Sequence, residues 1–274
     1  MLHSYNLAGA FKWKTDLNFS KNINTVTDLQ GQAIEANDFN ISISRVMEGQ
    51  AIGVFFAPEF AGVDPNNGDA LYYLNAETGN GELDRGTTNN INEAQRVVIG
   101  DPNPDFIFGI NNTFSWKGLE LRILFQGVYG NDSYNGGGRF QMDGFGWFDN
   151  QDIPMLNRWQ QPGDQTDIPQ LRFLQGAFDS SRFIEDASYL RMKNLNLSYL
   201  IPTRLINKSG LDFHQLSIYF TGQNLWTLTN YKSGDPEVNS DVKDFVENGS
   251  ITVGENFFTP PQAKTLVLGI KAKF

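Results

Sequence analysis

Apolar and polar residues alternate one for one along most of this chain, and the three-to-four spacing of a helix face is nearly absent. Phe11, Trp13, Leu17 and Phe19 interleave with Lys12, Lys14, Asp16, Asn18 and Ser20. Residues 38–47 set Phe39, Ile41 and Ile43 against Asn40, Ser42 and Ser44. Phe106, Phe108, Ile110, Phe114 and Trp116 share a phase, and Lys117-Gly118 follows as a tight-turn signal. Leu119, Leu121, Ile123, Phe125 and Tyr129 then oppose Glu120, Arg122 and Gln126. Leu195, Leu197, Tyr199 and Ile201 run up to Pro202, whose missing N–H stops a strand. Just before them Leu190 and Met192 alternate with Arg191 and Lys193 in the opposite phase, which predicts a bulge. Leu216, Ile218, Phe220 and Trp226 face away from Ser217, Thr221 and Gln223. Leu266, Leu268, Ile270, Ala272 and Phe274 face away from Thr265, Lys271 and Lys273.

The pattern predicts about seven strands, near 9–20, 38–47, 105–116, 119–129, 187–201, 213–228 and 262–274. Most are ten residues or longer, whereas globular strands run nearer five or six and a tilted membrane strand needs about nine to eleven. The expected connections, 21–37, 57–103, 117–118, 131–186, 202–212 and 229–261, alternate shorter and long. An up-and-down transmembrane barrel has that signature, with short turns on the periplasmic side and long loops outside. The fold class expected is therefore all-β: antiparallel up-and-down strands forming a section of a transmembrane barrel. Trp13, Trp116, Tyr129, Tyr199, Trp226 and Tyr231 fall near strand ends, where interfacial girdles would place them. Seven strands leave two unpaired edges that lipid cannot satisfy, so strands outside these residues are expected to complete the barrel.

Composition narrows the function classes. The 274 residues include 22 Phe, yet only 19% are charged, a mixture that demands fine segregation of apolar and polar positions. Cysteine is absent, which removes disulfides, thiolate catalysis and Cys-ligated metal. Two histidines, His3 and His214, make a His-rich metal site improbable, and no cofactor is expected. A net charge of −10 disfavours nucleic acid, whose phosphates need a Lys/Arg surface. Neither an apolar run of eighteen residues nor a leader-like N-terminus is present, so Met1 is expected to be internal to a longer chain or a gene-start artefact. Catalytic groupings do not form: Glu185 and Asp186 are adjacent, Ser180-Ser181 has no nearby His, and no Gly-rich phosphate loop carries its Lys. The chain is not expected to be an enzyme.

Several stretches then occur in a recognisable order: Glu48–Gly53 (EGQAIG) with Phe55-Phe56, Ala61–Asp69 (AGVDPNNGD), Gly100–Phe106 (GDPNPDF) and Phe114–Leu119 (FSWKGL). Phe183–Leu195 (FIEDASYLRMKNL), Gly222–Trp226 (GQNLW), Gly234–Asn239 (GDPEVN) and Pro260–Leu266 (PPQAKTL) up to Phe274 complete the series. Taken together they resemble the C-terminal third of SusC/RagA-like TonB-dependent transporters. The resemblance implies an outer-membrane barrel occluded by an N-terminal plug, absent from these residues. It implies import of oligosaccharides or peptides under a SusD-like surface lipoprotein, and energy from the TonB complex acting on a segment that is also absent here. The lipid bilayer and the outer-membrane assembly machinery are the remaining expected partners.

Candidate sites are weighed on that basis. The terminal strand, with Leu266, Leu268, Ile270 and Phe274, looks like an assembly signal, since an apolar edge strand can pair by strand addition. In loop 131–186, Trp147, Phe148 and Trp159 are candidate substrate-stacking aromatics, against the alternative that they pack the loop itself. Asp64, Asn66 and Asp69 have oxygen ligands at the spacing hard cations accept, but lack the distal bidentate Glu of an EF-hand, so a plain turn is favoured. Asp235, Pro236 and Glu237 match the family loop and are expected to order it. Two other readings stay open: a non-transporting outer-membrane barrel or adhesin, and a soluble secreted β-sandwich that binds or processes glycans.

Overall fold

Seven antiparallel strands hydrogen-bond in the order in which they occur along the chain. They are β1 (Leu2–Ala8), β2 (Phe11–Ser20), β3 (Phe106–Trp116), β4 (Leu119–Tyr129), β5 (Tyr189–Leu200), β6 (Gln215–Thr229) and β7 (Thr265–Lys273). The structure, a computed structural model, describes residues 1–35, 43–142, 150–172, 178–208, 213–237 and 251–274. Connections 9–10, 117–118 and 201–214 lie at one end of the sheet, and 21–105, 130–188 and 230–264 at the other. The tight turn is formed by Lys117 (φ 45°) and Gly118 (φ 88°), whose left-handed pair matches the twist of the flanking strands.

Register explains why the alternation is so clean. Leu17, Ile110, Phe125 and Met192 lie in neighbouring pairs across β2 to β5, as do Trp13, Phe114, Leu121, Leu197, Phe220 and Leu268 across β2 to β7. Every strand therefore contributes its apolar set to the same side of the sheet. Lys14, Thr113, Arg122, Asn196 and Thr221 line the other side in equally direct register. The predicted bulge is present: pairing with β4 shifts between Leu124 and Phe125 as β5 passes from Met192 to Asn194. The extra residue, Lys193, restores the phase of the apolar face, which would otherwise cross to the polar side halfway along β5.

Among the described residues, none covers the apolar side of the sheet. Ile218 is 42% and Leu268 78% exposed, and Phe108 and Phe125 are only partly shielded by their strand neighbours. Fully buried apolar side chains cluster elsewhere: Ile43, Phe55, Ala57, Tyr134 and Phe183 come from the long connections. Aromatic rings gather near both ends of the apolar side. Phe19, Phe106 and Tyr129 stack towards the long connections, and Phe11, Trp13 and Phe114 towards the turns. Tyr231, expected in such a girdle, is instead buried in the loops, its hydroxyl accepting from Asn256 at 2.9 Å.

Two expectations need correction. Strand 38–47 is not a wall strand: residues 36–42 lie outside the described residues, and Ser44–Val46 pairs with Val54–Pro58 in a small four-stranded loop sheet. The first long connection thus runs from 21 to 105 and not from 57 to 103. The seventh wall strand is β1, missed because its register slips between Tyr5 and Leu7, which moves Leu7 into the phase of Leu2 and breaks the period-two count.

The long connections form one layer. Asp132–Asn135 pairs with Ile184–Asp186 and, in parallel, with Glu255–Asn256, joining the second connection to the third. Glu255 ties in the first: its carboxylate accepts from the amides of Ile43 and Ser44 at 3.2 Å and from the Ser44 hydroxyl at 2.6 Å. Residues 76–84 project from this layer as a small hairpin, with open space around Gly79 and Gly81.

Candidate functional site

Where the polar side of the wall meets the loop layer, four charged side chains converge. Arg191 points to the polar side of β5, and Lys193 is the bulge residue two positions on. The chain leaving β6 folds back over them and delivers Asp235 and Glu237. Arg191 donates to Asp235 at 2.5 Å, to Glu237 at 2.7 Å and, through Nε, to the Thr227 hydroxyl at 3.0 Å. Lys193 closes on the same Glu237 carboxylate. Pro236 fixes φ between the two acids, so both reach one guanidinium. The Arg191 side chain is only 2% exposed. A charge so far from water is tolerated only when paired and hydrogen-bonded, as this one is.

Burial alone pushes the Asp235 carboxyl up. Hydrogen bonds from Arg191 and from the amides of Glu237 and Gln262 outweigh it and hold the group below its ordinary value. Two cations and two carboxylates cancel, and each finds its partners within the cluster. The chemistry left to Asp235, Pro236 and Glu237 is to pin the connection after β6 to the wall.

Of the aromatics singled out in the sequence, Trp147 and Phe148 lie outside the described residues. Trp159 is 5% exposed, and its indole N–H donates to the Pro65 carbonyl at 3.1 Å. Its ring lies against Gly68, where φ is +75° and an added Cβ would come within 2.5 Å of the indole. Trp159 thus packs the inside of the loop layer. The Asp64 turn closes on itself: Asp64 accepts from the backbone and side-chain amides of Asn66 at 2.9 and 3.0 Å. Asp69 is engaged by Arg172 and by Asn89. The Asp64 and Asp69 carboxylates are therefore engaged in turn geometry and one ion pair, with Asn66 donating to Asp64. At the far end, Leu266, Leu268 and Ile270 stand exposed along edge strand β7, and Phe274 packs edge-on against Phe213 with centroids 4.9 Å apart.

Reading the sequence did not single out Arg191, Glu255 or the Tyr231–Ser133–Asn256 cluster. For Arg191 a signal existed: two cations in a strand whose phase breaks beside them. Glu255 gave none, and Tyr231 was read only as a girdle aromatic, because their partners lie up to about two hundred residues away in sequence.

No family model matches the chain. It is 30% identical to TonB-dependent receptor P3 of Formosa agariphila over 96% of this chain and 27% of that protein. TonB-dependent receptor P26 of the same organism gives 30% over 96% and 27%. TonB-dependent receptor SusC of Bacteroides thetaiotaomicron gives 24% over 96% and 24%. Among solved structures, the RagAB peptide importer in its closed-closed state matches with a TM-score of 0.78 and 27% identity, covering 98% of this chain and 28% of that one. The open-open state gives 0.77 and 25%, covering 99% and 27%. The chain spans about a quarter of the length of the relatives it matches. In sequence and in fold alike, the chain is similar to a segment of TonB-dependent receptors of the SusC and RagA type.

Proposed function

We propose that these residues form part of the wall of an outer-membrane importer that takes up oligosaccharides or peptides. The observation that carries this reading is the apolar side of a seven-stranded sheet, uncovered among the described residues, whose other side is mostly polar along its register. Water would penalise so large an apolar surface, whereas hydrocarbon accepts it, and the polar side then faces a wet lumen. A ten-residue strand is about 34 Å long and, tilted by roughly 45°, rises about 24 Å, close to the apolar band of such barrels. On this reading connections 21–105, 130–188 and 230–264 face the cell exterior, where a SusD-like lipoprotein would sit on the layer they form. The TonB complex drives uptake through parts of the receptor other than these residues. Leu266, Leu268, Ile270 and Phe274 present the edge that the assembly machinery reads.

The cysteine-free sequence offers a direct test. Single cysteines at Phe125, Leu197, Ile218 and Leu268, introduced into the receptor in its own membrane, should react with lipid-soluble maleimides and resist water-soluble ones. Cysteines at Thr113, Asn196 and Thr221 should show the reverse. Uniform reactivity towards the water-soluble reagent would discard the wall assignment.

A further inference from the structure

Within the loop layer lies a cleft of about 430 Å³ in which two polar side chains, Arg182 and Tyr72, have no oxygen or nitrogen partner among the described residues. It opens between strand Ala70–Tyr73, residues 89–92 and the turn Ser181–Phe183. Arg182 lines it. Among the described residues its guanidinium has no carboxylate partner; its one polar contact is the Met142 sulfur at 3.8 Å, with the rings of Phe183 and Phe60 at 5.1 and 5.9 Å. Asp167 attracts the guanidinium through space without a hydrogen bond or ion pair to it, while Asp179 is engaged by Arg139 and the Tyr134 hydroxyl, and Asp69 by Arg172 and Asn89. Tyr72 lines the same cleft, is 4% exposed, and donates its hydroxyl to nothing among the described residues. Burial lowers the Arg182 pKa and raises that of Tyr72 to about 12, so at neutral pH the pair is a cation beside a neutral O–H donor.

A partly buried guanidinium with no direct ion pair gains from anything that supplies the missing charge. The planar fork of arginine, joined by a hydroxyl, matches a carboxylate in both geometry and sign. Phe178, Phe183 and Met142 give one part of the remaining wall an apolar character, and Asn89, Asn90, Asn92 and Gln170 give another part amides, a mixture suited to the rest of such a ligand. We propose that this cleft is a carboxylate-binding site, with Arg182 and Tyr72 as its donors. The ligand is an acid-bearing fragment of imported material: a peptide with a free C-terminus, or a uronate-containing oligosaccharide. Only the source of the ligand rests on the import reading; the site itself does not.

Calorimetric titration of the receptor purified in detergent tests the proposal without requiring transport. The probes are a hydrophobic hexapeptide with a free C-terminus, the same peptide amidated, and a trigalacturonate. Binding of either acid probe, weakened at least tenfold in Arg182→Gln and several-fold in Tyr72→Phe, is the expected result. Preference for the free over the amidated peptide identifies peptides as the source, and binding of the trigalacturonate alone identifies uronates. Tyr72→Phe removes one hydroxyl and keeps the ring packing, so it remains informative if Arg182→Gln folds poorly. Wild-type receptor that binds neither acid probe, or variants that bind them as tightly as wild type, would overturn the site. Failure of the wall assignment shows separately, in the cysteine labelling.

Discussion

Arg191 and Arg85 show how the same pairing differs in worth with its surroundings. Arg85 bonds Glu59 at 2.7 Å, but its side chain is half in water, so the pair contributes at most about 1 kcal/mol. Arg191 is sealed under the connection that supplies Asp235 and Glu237. Arg191→Met leaves both carboxylates without their shared guanidinium and should cost about 3 kcal/mol, whereas Arg85→Met should cost less than 1. Urea unfolding in detergent micelles compares the two. The cluster also sets a pH response. The Asp235 carboxyl titrates below its ordinary value of 3.8 when folded, so its contribution is complete above that value and is lost as pH falls through the lower, folded one. Limited proteolysis of the 230–237 segment should therefore stay flat from pH 7 to about 5 and accelerate only in stronger acid. Asp235→Asn should abolish that acid-dependent rise.

Strands carry the clearest written message in this chain, because a wall with two different solvents imposes a strict period of two. That is why β2, β3, β4, β6 and β7 could be read within a few residues of their ends. It also explains the failures. In β1 the slip after Tyr5 moves Leu7 into register with Trp13, and no count of alternation survives a slip. Residues 38–47 alternate as well as any wall strand, but Ile43 and Val46 are buried by loop neighbours and not by lipid, and pattern alone cannot tell those environments apart. Adjacent positions on one strand give a sharp test of the facing. Ile123 lies between Asn112 and Leu195 on the apolar side, and Leu124 between Asn111 and Asn194 on the polar side. Ile123→Arg should cost about 2–4 kcal/mol and lower the amount of receptor assembled in the membrane. Leu124→Arg should assemble normally, as a heat-modifiability gel would show.

At the scale of the whole molecule, the long connections hold the one buried apolar cluster among the described residues. Contacts between connections join them: Glu255 with Ile43 and Ser44, Ser133 with the Gly254 carbonyl at 2.8 Å, Ser133 with the Tyr231 hydroxyl at 3.3 Å. None of these was legible beforehand, since polar tertiary pairs leave no periodic trace. The cleft beside Arg182 is built from three such stretches and stayed hidden for the same reason. This stitching reverses the habit of treating the long loops of a barrel as free space for inserted sequence. A peptide tag placed at Gly136–Gln141 would wedge the second connection from the third and should abolish surface display. The 76–84 hairpin stands clear of them, so a tag at Asn80 should leave display intact and let an antibody applied to whole cells report which side of the membrane these loops occupy.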